Sequence, residues 1–125
     1  MKIVLTEQES EEYFYNSLCN SLGYLEGYGL SLFYDSTEYK EAKSKLNNPY
    51  FENILMQILK DGGTLHLKDI EGEGEMDSSI TLQDVHERVQ ITPLKHLSDM
   101  ISENDDAETG DVILQTVFFR ELVFG

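Results

Sequence analysis

Carboxylates and three histidines are the side chains of this sequence whose types and spacing invite chemistry. Asp69, Glu71, Glu73, Glu75 and Asp77 alternate with Ile70, Gly72, Gly74 and Met76. Calcium takes about six to eight hard oxygens, and close carboxylates on a glycine-flexed loop can supply several of them. An EF-hand loop, however, sets its glycine at another offset and lies between two helices, a frame missing here. In an extended segment the alternation puts successive acids on one side, where they repel without a cation. The expected state is a solvated acidic turn. A second run, Asp99, Glu103, Asp105, Asp106, Glu108 and Asp111, contains no base. Held rigidly at regular spacing, the two runs could imitate the phosphates of DNA and occupy a cationic groove, driven by counterion release. On this reading Glu71, Glu73, Glu75, Asp77, Asp105, Asp106 and Glu108 are the partner-binding residues. Otherwise the second run is an acidic loop that caps the next helix through Asp106 or Thr109.

The histidines point to a different chemistry. His86 and Glu87 begin the run HERVQ. A zinc-protease helix needs two histidines four apart so that both rings face one metal, with the glutamate as base. Position 90 is Gln, so the second ligand is missing, and His86 and Glu87 are expected as separate surface side chains on a short helix. His66 and His96 would have to converge on His86 over long range, and no paired cysteines give zinc-type spacing. A metal-dependent or hydrolytic enzyme using these histidines and nearby carboxylates is the alternative reading. Gly27-Tyr28-Gly29 and Gly72-Glu73-Gly74 lack the third glycine of a dinucleotide loop, and there is no nucleophile elbow or phosphate-binding G-K-[ST]. No catalytic residue, metal or cofactor is assigned.

Charge narrows the partners. Twenty-four acids against nine Lys and Arg leave −15 over 125 residues. Residues 1–62 hold ten acids and five bases; residues 63–125 hold fourteen and four. Such a field repels nucleic-acid phosphates and anionic membranes, so direct binding to either is disfavoured. A basic protein is the favoured partner, and a second copy of the chain is another, through an apolar patch over Val117–Phe124. All seven tyrosines lie in the first fifty residues, where they serve as core-margin or interface side chains. The acidic N-terminal stretch lacks the apolar region of a signal peptide, and no apolar run is long enough to cross a bilayer. Cys19, the single cysteine, allows no internal disulfide and is expected as a buried thiol. A reducing, cytoplasmic location follows as the default.

These residues need a frame, and the patterning suggests one α+β domain. Lys2–Leu5 reads as a short strand. Thr6 and Glu9 make a capping box for a helix over Glu7–Leu22, with Phe14, Leu18 and Leu22 on its buried stripe and Gly23 as its stop. Tyr24–Gly29 reads as a turn, Leu30–Tyr34 as a strand, and Asp35–Leu46 as a polar surface helix. Asn48 and Pro49 read as cap and first residue of a core helix carrying Phe51, Ile54, Leu55, Ile58 and Leu59, stopped by Gly62–Gly63. Thr64–Ile70 and Ser78–Leu82 form a hairpin around the acidic loop. Leu82, Val85 and Val89 have helical spacing, and Thr92–Pro93 starts another short helix. Residues 102–110 read as loop, followed by a helix to about Phe119 and a short strand over Glu121–Phe124. The sum is five or six helices packed on a small antiparallel sheet.

The segments VHERVQITPLKHL and ETGDVILQTVFFRELVFG, about the last third of the chain, resemble small acidic bacterial proteins of phage and mobile-element type, a group without an assigned activity. The resemblance implies a bacterial accessory protein and carries no functional residue with it.

Overall fold

The computed structural model of the protein describes residues 3–47 and 49–124. These form six α-helices and a three-stranded antiparallel sheet, the expected α+β arrangement. Helix α1 spans Glu7–Gly27 and opens on the capping box: Glu9 N–H donates to Thr6 Oγ1 at 3.0 Å, and Thr6 N–H to the Glu9 carboxylate at 2.9 Å. It runs past Gly23, the expected stop, and past the expected turn. Continuing buries Leu25 fully, which contributes about 1.5–3 kcal/mol against about 1 kcal/mol for each helical glycine. The chain turns instead at Tyr28–Gly29, where Gly29 takes φ +83°. The buried stripe of α1 is Ser10, Phe14, Ser17, Leu18, Ser21 and Leu25, so Leu22 is only half-buried. Cys19, one residue and about 100° around from Leu18, is exposed and not the buried thiol expected.

Strand β1 (Leu30–Tyr34) leads into α2 (Ser36–Ser44), whose cap is Asp35; only Ala42 of α2 is buried. Helix α3 (Phe51–Lys60) buries Ile54, Leu55, Ile58 and Leu59 as its periodicity predicts, while Phe51 is partly exposed. Its N-cap is Tyr50, so Pro49 precedes the helix, and Asn48 lies outside the described residues. Strands β2 (Leu65–Asp69) and β3 (Ser78–Ile80) complete a sheet of order β1-β2-β3, with Tyr34 opposite Leu65 and Leu67 opposite Ser78. Leu82 is not in β3. Thr81 N–H donates to the Asp84 carboxylate at 2.9 Å and starts α4 (Leu82–Arg88). A 3-10 turn over Val89–Ile91 follows, then α5 (Leu94–Ile101) with Pro93 as N-cap. Thr92, the expected cap, is buried instead, and its hydroxyl finds no partner among the described residues.

Helix α6 (Ala107–Phe119) starts inside the segment expected to be loop, because Asp106 caps it by accepting from Thr109 N–H at 2.9 Å. Every residue from Thr109 to Phe118 is buried. Its main neighbour is α1, which runs antiparallel to it: Ser21 donates to the Ala107 carbonyl at one end, and Phe14 meets Phe118 at the other.

Neither terminal strand forms among the described residues. Ile3–Leu5 pairs with no strand, Leu5 N–H donating to Gln90 Oε1 at 3.2 Å, and Lys2 lies outside the described residues. After Arg120 ends α6 in the left-handed region (φ +68°), the tail is held by a side chain. Gln115 Oε1 accepts from Val123 N–H and Phe124 N–H, so these groups need no neighbouring strand. The expected apolar patch also shrinks, since Val117 and Phe118 are buried and only Leu122 and Val123 of it are exposed apolar side chains. Among the described residues no helix is long and apolar enough to cross a membrane.

Candidate functional site

The hairpin loop is the solvated acidic turn expected, with Ile70 exposed beside Glu71, Glu73, Glu75 and Asp77 and no extended face of acids, and not all of the acids are free of local duties. Asp69 Oδ1 accepts from Gly72 N–H at 2.7 Å, and Asp77 Oδ1 accepts from Asp69 N–H at 2.8 Å, so these two carboxylates fold the loop. Glu71 lies against Gly29, where an added Cβ would sit 2.6 Å from its Oε2. Glu73 and Glu75 stand in solvent, and Met76 packs inward on the core. In the second run Asp106 holds the α6 cap, and its bond from the Thr109 N–H keeps its carboxyl below the usual carboxylate range. Glu108 is exposed in the first turn of α6, where a negative charge suits the helix dipole, and Asp105 is half-buried. Ser78, next to Asp77, donates to the Phe118 carbonyl. That carbonyl lies about 18 Å along α6 from the Asp106 cap, whereas Glu71 lies against Gly29, next to the Tyr28 whose hydroxyl reaches Asp111 near the start of α6.

Among the described residues no Lys, Arg or His nitrogen lies within 4 Å of Glu71, Glu73, Glu75, Asp77, Asp105, Asp106 or Glu108. The basic side chains that do pair are engaged elsewhere: Lys45 with Asp61, Lys60 with Glu11, and Arg88 with Asp84. Lys68 lies over the Phe33 ring at 5.3 Å.

The histidines stay apart. His66 bonds Ser79 Oγ across the hairpin at 2.7 Å, and His96 faces Thr109 Oγ1 at 3.4 Å. His86 pairs not with its neighbour Glu87 but with two acids of α1, Glu11 at 2.8 Å and Glu7 at 3.2 Å, which ties α4 to α1. Glu11 also lines an open cleft of about 500 Å³ with Tyr15, Gln57 and Lys60. Among the described residues, no three His, Cys, Asp or Glu side chains come together as a metal site requires.

One carboxylate that the sequence places in the acidic second run is buried: Asp111 is only 5% exposed. Its Oδ2 accepts from the Tyr28 hydroxyl at 2.6 Å, and its Oδ1 from Gln115 Nε2 at 3.1 Å. The Tyr28 ring stacks on Phe124 at 4.5 Å. Burial, and then the hydrogen bond to Asp111, push the Tyr28 hydroxyl up to about 12 from its ordinary 10.0. The raised value means that the folded state favours protonated Tyr28. Its contribution is complete below pH 10 and is lost as the pH rises through 12. Ultraviolet titration is therefore expected to show a late tyrosinate step near pH 12 that is absent from Tyr28→Phe. Stability should also fall less steeply with pH in that variant across the same window. A Tyr28→Phe variant that loses an ordinary step near pH 10 and keeps the late one would remove Asp111 and burial as the cause.

No family model matches the chain, and comparison with curated proteins and with solved structures finds no match to either.

Proposed function

We propose that this chain is a non-enzymatic interaction protein that offers an acidic surface to a cationic protein partner, as a bacterial mobile-element accessory or inhibitor working in the cytoplasm. The observation that carries the reading is the set of seven acids on the hairpin loop and around the start of α6, none of which has a basic nitrogen within 4 Å among the described residues. Surface charges left uncompensated are the ones that steer and select an oppositely charged partner. The same field disfavours nucleic acid and anionic membranes.

The test reverses Glu73, Glu75 and Asp105 to Lys and changes Asp106 to Asn, which keeps the α6 cap. Immobilised protein is exposed to cell lysate at low and moderate salt. Capture of the partner by the parent chain is expected to fall with salt. The variant, checked for an unchanged fold, should lose about tenfold in capture and most of the salt sensitivity. Equal capture by both proteins ends the proposal.

A further inference from the structure

We infer that the pocket between the C-terminal end of α1, the first turns of α6 and the chain end is a binding site for an organic ammonium group. The pocket measures about 330 Å³ and is lined by Tyr24, Tyr28, Phe124, Glu108, Asp111 and His96. Its chemistry begins with Asp111. Gln115 Oε1 is occupied by two backbone N–H donors, so its Nε2 is the end that faces Asp111 and donates. Tyr28 keeps its proton far above neutral pH and donates to the other oxygen. Both oxygens therefore accept, the pattern of an ionised carboxylate. A buried carboxylate is ordinarily paired with a cation. Here no Lys, Arg or His nitrogen lies within 4 Å of it among the described residues, and the His96 ring is turned to Thr109. A negative charge is thus held at the wall of a cavity with its counter-charge missing.

The remaining walls suit a cation of one kind. Glu108 adds a second carboxylate. The last turn of α1 contains no basic residue to offset the negative end of its dipole. Tyr24 and the stacked Tyr28–Phe124 pair contribute aromatic surface, which attracts ammonium groups and offers no lone-pair cage to a metal ion. A free quaternary ammonium compound and a lysine side chain of another protein share this chemistry. Glu108 belongs to both surfaces, but the hairpin acids do not line this pocket, so a variant changed only at Glu73 and Glu75 tests the acidic surface without touching the ammonium site.

Calorimetric titration of the full chain with choline, with N-acetyl-lysine methylamide and with the uncharged carbon isostere of choline decides the matter. At least one cation is expected to bind about tenfold or more tightly than the isostere. A preference for choline identifies a free ammonium compound as the source, and a preference for the lysine amide a protein side chain; either supports the site. Glu108→Gln and Tyr24→Ala, both at exposed positions, should each weaken the favoured cation about threefold or more. The variant with only Glu73 and Glu75 changed to Lys should bind it as the parent does. Equal binding of cation and isostere overturns the inference. A cation preference that survives unchanged in Glu108→Gln and Tyr24→Ala does so too.

Discussion

Gly110→Val is expected to destabilise the fold by about 3 kcal/mol, lowering the melting temperature by roughly 10 °C. Gly110 is buried where α6 crosses α1. A Cβ there would sit 2.1 Å from Ser21 Oγ, 3.0 Å from Ser21 Cβ and 3.3 Å from the Ser17 Cα. Ser21 cannot step aside freely, because its hydroxyl donates to the Ala107 carbonyl at 2.6 Å, and the Ser17 Cα is backbone. Helix propensity predicts the opposite sign, since alanine in place of a helical glycine gains about 1 kcal/mol. The smaller change Gly110→Ala therefore decides which effect wins, and a net loss of about 1 kcal/mol is expected. Denaturant melts of a double-mutant cycle with Ser21→Gly complete the test. Removing the Ser21 side chain should relieve most of the penalty at Gly110, a coupling that independent sites do not show. A stabilising Gly110→Ala would mean that the two helices have room to spare.

That contact also illustrates what was legible beforehand. Where one stretch of chain carries its own signal, expectation and structure agree. The i, i+3, i+4 spacing of Ile54, Leu55, Ile58 and Leu59 marks a buried face that needs no knowledge of what covers it. The Thr6–Glu9 capping box closes within four residues, and the glycines and acids between β2 and β3 can do little but turn in solvent. Disagreement begins where a distant group decides. Gly23 carries a stop signal, yet the buried place awaiting Leu25 outweighs it. Gly110 sits among acids and reads as loop, whereas it is the near-contact of two helices joined across 86 positions by Ser21 and Ala107. The candidate site divides in the same way. Exposure of Glu73 and Glu75 follows from the local pattern. Burial of Asp111 depends on Tyr28, 83 residues away, and the partner of His86 is Glu11, 75 residues away, though Glu87 is adjacent. Alternation over residues 121–124 suggests a strand, but alternation does not reveal that a glutamine amide will satisfy the backbone first.

Gln115→Leu is expected to cost about 2–4 kcal/mol and to release the chain end from the rest of the fold. The Gln115 side chain is fully buried and uses both ends of its amide. Its Oε1 accepts from Val123 N–H at 2.8 Å and Phe124 N–H at 2.7 Å, and its Nε2 donates to the Phe124 carbonyl at 3.0 Å and to Asp111 at 3.1 Å. Leucine fills similar space and makes none of these bonds. The backbone of residues 123 and 124 can swing out and recover water, so its loss is partly compensated. Asp111 has no such escape while α6 stays folded, and one of its oxygens is left without a donor in a buried place. Most of the penalty is therefore assigned to the carboxylate, which gives the prediction a second arm. Gln115→Leu combined with Asp111→Asn should be less destabilised than the sum of the two single changes, because the charge that lacks a partner is gone. Hydrogen exchange reports the local event: protection of the Val123 and Phe124 amides should vanish while α6 amides such as Ile113 and Leu114 keep theirs. Phe124 would leave its stack on Tyr28, so the ammonium pocket would lose a wall and its ligand together. Retained protection at residues 123 and 124 in Gln115→Leu would mean that packing of Phe124 on Tyr28 holds the tail, with the glutamine only following it.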